Sequence, residues 1–333
     1  MKAAVMTAKG GPEVLQITEL PTPTITAPHD VLVRLKAAAV NPLDTKIRQA
    51  HMMFPDNLPA VLGCDGAGVV EQVGKAVHRF KAGDEVYFFN NGLGGPPGNY
   101  CEYTVLHENF VAAKPRTLSF SEAAAVPLVL ITAWEALVYR ADLQAHESIL
   151  VHAGAGGVGH VALQLARHLG ARVATTVSGA DKAALAKSLG AELTIDYKTQ
   201  DFAGASRAWT ENRGVDVVFD TVGGPTFCQS FAATRLYGRV VSLLSTRCEM
   251  PEINTARLRN LIIGYVQMTA PLYFGNHELR CAQTRILERG TRLFDEGKLR
   301  AEVSAVLPLK DAAAAHRLVE DGHTIGKVVL QID

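Results

Sequence analysis

The sequence predicts an α/β protein of two domains. One is a β-rich domain assembled from both ends of the chain, 1–122 and 271–333, and the other is a doubly wound parallel sheet inserted between them at 123–270. Three observations predict this. The first ~115 residues are short apolar runs punctuated by Gly, Pro and Asn, the pattern of strands and turns. From Ser148 onward, short β-branched runs alternate with helix-like segments, the pattern of a parallel sheet covered on both faces. From about Pro271 the tail reads as long helix, strand, helix and final strand, and its best home is against the first domain. A length of 333 residues suits two domains at about 150 residues each. With 48% hydrophobic and 20% charged residues the composition is globular. A chain of this size buries roughly three quarters of its unfolded surface, so it needs neither a disulfide nor a structural metal for stability.

Taken in order, the strands of the first part are expected at 2–7, 30–39, 68–73, 85–89 and 100–106, each rich in Val, Tyr and Phe. Residues 92–99 (GLGGPPGN) read as a loop. Ser119 followed by Glu122 fits a capping box, and the helix it opens breaks near Pro127. In the second part, strands are expected at 148–152, 172–177, 193–196, 215–221, 238–244 and 261–267. Helices at 157–169 and 181–189 each stop at a glycine, Gly170 and Gly190. The chain closes on a strand at 327–332.

The run Ala153-Gly154-Ala155-Gly156-Gly157-Val158-Gly159 sits where the strand 148–152 meets the helix 157–169. Gly154, Gly156 and Gly159 satisfy GxGxxG. Alone this motif is weak; at a strand-to-helix junction followed by further βα units it is strong. Gly154 allows the tight turn, Gly156 lets backbone approach a pyrophosphate, and Gly159 lets helix pack close to strand. The helix N-terminus then faces the phosphates with free N–H groups and its positive dipole end. No Lys-Ser/Thr pair follows Gly156-Gly157, which disfavours an ATP-type loop. Which nicotinamide cofactor fits is decided at the end of the next strand, where an NAD site carries Asp or Glu. Here the chain reads Thr176-Val177-Ser178-Gly179-Ala180-Asp181-Lys182. Ser178 supplies a hydrogen bond and Lys182 a charge for a 2′-phosphate, which favours NADPH. Lys182 also reads as a solvated helix lysine, and Asp181 as an ordinary first-turn acid. Tyr197, closing the third strand, lies either beside the adenine or in the core.

Several motifs along the chain carry a resemblance. They are 10–15 (GGPEVL), 41–48 (NPLDTKIR), 63–70 (GCDGAGVV), 80–86 (FKAGDEV), 98–103 (GNYCEY), the glycine turn, and the closing Gly326-Lys327-Val328-Val329-Leu330. Through them the chain resembles the medium-chain dehydrogenase/reductase superfamily, in its zinc-free quinone oxidoreductase (zeta-crystallin-like) branch, nearly end to end. The resemblance implies a GroES-like β-rich catalytic domain plus a Rossmann cofactor domain, with the active site in the cleft between them. It implies that Asn41 and Thr132 line the nicotinamide end, Asn41 offering an amide donor and Thr132 a hydroxyl near the carboxamide. Asp44 would order a neighbour or relay a proton, and Lys327 would join the cofactor-binding set. Homodimers or homotetramers, often joined through the cofactor-domain sheets, are implied as well. Local readings stand beside these: Asn41 as a turn former before Pro42, Asp44 as the N-cap of a short helix, and Thr132 bonded back to its own helix.

In the zinc-dependent members, matched by motif, the ligand positions fall here on Asn41, Cys64, Asp65 and Leu128. Asn and Leu are not the thiolate or imidazole donors that zinc prefers. No four-cysteine lobe surrounds Cys101, and His51, His78 and His107 are scattered. A zinc-free enzyme is therefore expected. Without a Lewis acid, its acceptors should be ones that take hydride readily, such as quinones and α,β-unsaturated carbonyls. Many of these relatives carry Tyr two residues after the Asp of this motif, where this chain has Lys46, either a replacement donor or an exposed side chain. Phe54, Tyr87 and Tyr265 are candidates for an apolar wall, and 52–57 and 92–99 for a rim. The alternatives are an alcohol or aldehyde dehydrogenase of the same superfamily and a cofactor-binding protein with little turnover.

Lys+Arg and Asp+Glu both count 33, so no global basic field gathers nucleic acid or anionic lipid. No apolar run reaches the ~20 residues of a membrane span. The five cysteines form no close pair in sequence. Reduced thiols, a cytoplasmic setting and a small-molecule substrate are expected.

Overall fold

The computed structural model describes residues 1–50 and 53–333, so the expectations placed on His51 and Met52 lie outside it. The chain divides into two compact units, Met1–Leu128 with Thr269–Asp333, and Val129–Met268.

The first unit opens with β1 (Lys2–Met6), β2 (Leu15–Glu19), β3 (Asp30–Val40), α1 (Pro42–Ala50), β4 (Ala60–Val61), β5 (Asp65–Val73), β6 (Glu85–Phe89), β7 (Tyr103–His107), β8 (Ala112–Ala113) and α2 (Phe120–Ala124). Strands β2, β1 and β4 form a small sheet in that order. The larger, seven-stranded sheet is organised on β3, which pairs antiparallel with β5 and with β7. Gly68 on β5 faces the carbonyl of Arg34, where a Cβ would come within 2.2 Å; only glycine lets the two strands close here. The expected strand at 100–106 starts only at Tyr103. Tyr100 is instead turned into the interior, against Gly63, whose φ of +91° and missing side chain make room for the ring. The expected capping box forms: Ser119 and Glu122 exchange side-chain and backbone hydrogen bonds.

The second unit takes in most of α3 (Pro127–Trp134) and continues through β9 (Ser148–Val151), α4 (Gly159–His168), β10 (Arg172–Val177), α5 (Ala180–Ser188), β11 (Leu193–Asp196), α6 (Phe202–Trp209), β12 (Val215–Asp220), α7 (Pro225–Ala233), β13 (Thr234–Ser242), α8 (Met250–Leu258) and β14 (Ile262–Tyr265). All six strands are parallel, in the order β11-β10-β9-β12-β13-β14. Counted from β9 this is 3-2-1-4-5-6, the Rossmann order, whose switch point lies beside the first strand. All four residues of β9 are buried, as expected of a strand covered on both faces. One expectation is corrected: Cys228 on α7 and Cys248, just before α8, form a disulfide with Cα atoms 5.6 Å apart. Twenty residues separate them in sequence, but the chain leaves α7, runs through β13 and returns alongside it. The cysteines therefore no longer argue as a set for a reduced setting.

The chain then re-enters the first unit through α9 (Ala270–Tyr273), α10 (His277–Asp295), β15 (Val303–Pro308), α11 (Ala312–Glu320) and β16 (Lys327–Gln331). Strand β16 fits between β15, to which it is parallel, and β3, to which it is antiparallel with Val328 opposite Val40. Among the described residues, no helix is long and apolar enough to cross a membrane.

At the end of β9, His152 is fully buried with Nδ1 3.2 Å from Thr176 Oγ1 and Nε2 3.0 Å from Ser230 Oγ. Ser230 donates its own hydroxyl hydrogen to Thr226 O, so Nε2–H is the donor to Ser230 and Nδ1 the acceptor, a neutral ring. Burial pushes its pKa down to about 4. Between an unfolded value near 6.5 and that folded value, the unfolded chain binds more protons, so stability falls as pH drops through this window and levels off below it. The residue should cost up to about 3 kcal/mol of stability by pH 4. Urea unfolding at pH 7 and pH 4.5 should show this loss in the wild type and a reduced loss in His152→Gln.

Candidate active site

In the second unit, the glycine turn hangs on β10. Ala153 (φ +51°) donates its N–H to Thr176 Oγ1 at 3.0 Å, and Gly154 N–H reaches Thr176 O at 3.2 Å. The three motif glycines then differ in what they face. A Cβ on Gly154 would lie 2.2 Å from Thr175 Oγ1, and one on Gly159 would lie 2.2 Å from the carbonyl oxygen of Ala153. On Gly156 it would meet nothing closer than 3.1 Å. Two glycines therefore serve packing, and the third, whose Cβ would meet only the Ala153 carbonyl oxygen at 3.1 Å, is the one suited to close backbone approach by a pyrophosphate. Helix α4 starts at Gly159, two residues later than expected, because Gly157 and Val158 still belong to the turn; no side chain caps it. Its N-terminus is thus left for an anion.

The neighbouring strand ends carry the remaining cofactor candidates. Ser178 follows β10 directly, and Lys182 sits in the first turn of α5; both are half-buried. Asp181, beside Lys182, is exposed. Tyr197 follows β11, with its N–H on Val177 O at 3.2 Å and its ring exposed rather than packed in the core. Glycine turn, Ser178 and Tyr197 thus stand at the carboxyl ends of three adjacent parallel strands. At the end of β12, Asp220 accepts from the N–H groups of Val222 and Gly223 and from the Ser242 hydroxyl at 2.6 Å. This buried carboxylate binds the loops after β12 and β13 together, and sequence reasoning missed it. The signal was an Asp placed directly before a Thr-Val-Gly-Gly turn.

In the first unit, the sheet gathers a buried polar cluster. Asn41 lies between β3 and α1. Its N–H is held at 2.8 Å by Asp44, which lies in the first turn and is therefore not the cap expected from sequence. The Asn41 side chain turns away from the helix. Its Nδ2 donates to Asp65 Oδ2 at 2.9 Å, and its Oδ1 accepts from the Lys327 ammonium. Lys327 also donates to Val40 O at 3.2 Å and lies 3.5 Å from Asp65 Oδ2. Asp65 Oδ1 accepts the N–H of Leu128 at 2.8 Å. Tyr100 donates to Asp44 Oδ2 at 2.9 Å, while Asp44 Oδ1 has no partner among the described residues. Burial raises Asp44 to about 7, against the hydrogen bonds from Asn41 and Tyr100. It also raises Asp65 and lowers Lys327, each partly restored by the other's charge. Cys64 stays a thiol, pushed well up by burial and by Asp44 and Asp65.

Sequence reasoning singled out Asn41 and Asp44 in one motif and Lys327 in another; the structure joins them through Asp65 and Tyr100. Thr132 is buried on α3 in the second unit. Lys46 is exposed. Tyr87 is core, donating to Leu287 O at 2.6 Å. Phe54 packs on Tyr273 at 5.5 Å, and Tyr265 is exposed on β14. Among the described residues, no group of three or more His, Cys, Asp or Glu is arranged to hold a metal ion.

Comparison with known proteins places this geometry. Residues 27–116 match the family described as alcohol dehydrogenase GroES-like domain, and residues 189–330 match the one described as zinc-binding dehydrogenase. The chain is 35% identical over 323 residues to a quinone oxidoreductase of Pseudomonas aeruginosa, covering 97% of each chain. It is 34% identical over 340 residues to the chloroplastic NADPH-dependent alkenal/one oxidoreductase of Arabidopsis thaliana, covering 99% of this chain and 79% of that one. Among solved structures it is similar to an NAD-dependent alcohol dehydrogenase (TM-score 0.90, 37% identity, all of both chains). It is also similar to Escherichia coli quinone oxidoreductase complexed with NADPH (TM-score 0.86, 30% identity, 99% of this chain and 100% of that one). The chain belongs to the medium-chain dehydrogenase/reductase superfamily, in its quinone oxidoreductase branch.

Proposed function

We propose that the protein is an NADPH-dependent reductase of quinones and α,β-unsaturated carbonyl compounds that works without a metal ion. The observation that carries the metal-free reading is what surrounds Asp65. Its oxygens are taken by the Asn41 amide, the Leu128 N–H and the Lys327 ammonium. The positive charge beside this carboxylate is thus part of the chain itself. Of the four positions where zinc-dependent relatives carry ligands, Asn41 and Leu128 offer no thiolate or imidazole, and the adjacent Cys64 and Asp65 alone do not make a tetrahedral site. The segment matching the zinc-binding dehydrogenase family, 189–330, contains none of the four.

NADPH supplies a hydride when bound. For its pyrophosphate the chain offers the backbone of Gly154, Ala155, Gly156, Gly157, Val158 and Gly159 and the uncapped start of α4. Ser178 and Lys182 take the 2′-phosphate, and Tyr197 flanks the adenine. Thr132 offers its hydroxyl to the nicotinamide carboxamide. Asn41 holds an N–H toward the substrate oxygen as negative charge develops on it, the kind of preorganised donor worth about 10²–10³ in rate. Asp44 keeps the start of α1, and with it Asn41, in place. An amide donor does little for a simple ketone, so the favoured acceptors are those whose charge spreads into an enolate or a quinol. The protein acts as a homo-oligomer joined at β14. This edge strand of the second unit exposes Ile262, Ile263 and Tyr265, an unpaired apolar edge that soluble proteins normally cover.

NADPH oxidation across a panel of quinones, enones, aldehydes and alcohols tests the reading. Turnover should be confined to quinones and enones and should survive dialysis against a chelator; turnover of simple alcohols that vanishes with the metal would defeat it. Replacing Ser178 and Lys182 together with Ala should weaken NADPH binding by about 10–100-fold while NADH binding changes little, as titration of each nucleotide would show. Gly156→Ala should fold with a near-normal Tm and lose NADPH affinity. Gly159→Ala should instead lower the Tm by several degrees, because its methyl meets backbone.

A further inference from the structure

We propose that Lys327 and Asp65 are the positioning residues of the Asn41 amide, locking it in the single orientation that presents its second Nδ2 hydrogen to the reacting oxygen. The inference rests on the metal-free reductase reading above and assigns the two charged residues that reading leaves without a task.

The carboxamide of Asn41 can point either way about its last torsion, and its two ends have nearly the same shape. What selects one orientation here is charge. Oδ1 faces the Lys327 ammonium, and Nδ2 faces Asp65 Oδ2 at 2.9 Å. The reverse orientation would set N–H groups against an ammonium and an oxygen against a carboxylate. All three side chains are at least nine-tenths buried, so water does not screen the choice. One Nδ2 hydrogen is given to Asp65 and the other is left over, in a direction fixed by the first. The sheet enforces this arrangement. Lys327 precedes Val328, which lies opposite Val40, and Asp65 lies opposite Ala39. Strands β16, β3 and β5 are thus adjacent, and their register delivers ammonium, amide and carboxylate to one place. Lys327 donates to Val40 O and Asn41 Oδ1 and lies 3.5 Å from Asp65 Oδ2, so its ammonium is directed into this cluster and the lysine acts through Asn41.

The experiment compares Lys327→Met with the double variant Asp65→Asn/Lys327→Met. The single variant strands a buried carboxylate and should melt early. The double variant removes both charges and should recover most of the lost Tm. If the pair positions Asn41, the double variant still turns over enones about 30–100-fold more slowly, with KM for NADPH within about threefold of wild type. Its Asn41 side-chain amide resonances, identified by their loss in Asn41→Ala, should also move and broaden. Recovery of kcat together with Tm would overturn the proposal and leave a purely structural pair. A loss confined to NADPH affinity would overturn it in favour of direct cofactor binding. Unchanged Asn41 amide resonances would overturn it whatever the kinetics. A wild type that binds NADPH and reduces no acceptor would sink the reductase reading, and the amide resonances would still decide whether the pair orients Asn41.

Discussion

A carboxylate sealed inside a β-sheet has to find its counter-charge within that sheet. Asp65 is fully buried at the start of β5, and the cation it meets is Lys327, at the start of the last strand. A buried charge left alone costs several kcal/mol, so β16 has to insert between β15 and β3, and it has to do so in one register. A slip of one residue would turn the lysine to the opposite face. The ends of the chain are thereby tied through one ion pair and one amide, and Asn41 is held between them. A glycine serves the same arrangement: Gly63 gives up a side chain so that Tyr100 can lie inside and donate to Asp44.

The second unit depends on a different constraint, the closeness of backbone to backbone. Its turn works because Gly159 touches the Ala153 carbonyl and Gly154 touches Thr175, leaving Gly156 open. His152 and Thr176 fasten the turn from below through a neutral ring, and Asp220 fastens the loops after the next two strands. Buried polar groups thus set the shape of the carboxyl edge of the sheet. Their own bonds are satisfied inside the protein, as burial demands.

What was legible in the sequence follows from which forces are local. Strands β6, β10 and β11 were located to the residue because apolar runs with turn residues at both ends leave little freedom. The glycine turn was legible because its seven residues are contiguous and each does its work within a few ångströms of its neighbours. Strand β2 was missed because it is only five residues long with four of them exposed, so its Leu15/Ile17 alternation is too short to stand out from a loop. The Cys228–Cys248 bridge was missed because a return of the chain, not a sequence spacing, brings the sulfurs together. The site divides on the same line. Asn41 and Asp44 share one motif and were noticed together, and Asp65 and Lys327 each sit in a recognised motif. Their contact joins opposite ends of the chain, and it exists only once the order β16-β3-β5 is known.

Holding an amide by an ion pair has a chemical consequence that differs from holding a metal. Zinc puts a net positive charge against a carbonyl oxygen and polarises it before any reaction begins. Here the lysine charge is matched by Asp65 within 3.5 Å, so the pair seen from outside is close to a dipole and its field falls off quickly. In the reading proposed above, what reaches the substrate is one neutral N–H in a fixed direction. Such a donor gains strength only as negative charge grows on the oxygen it faces. It therefore favours acceptors in which that charge is already distributed over conjugated atoms, and it gives little to an isolated ketone. On that proposal, a preference for conjugated acceptors follows from the electrostatic balance of three adjacent strands.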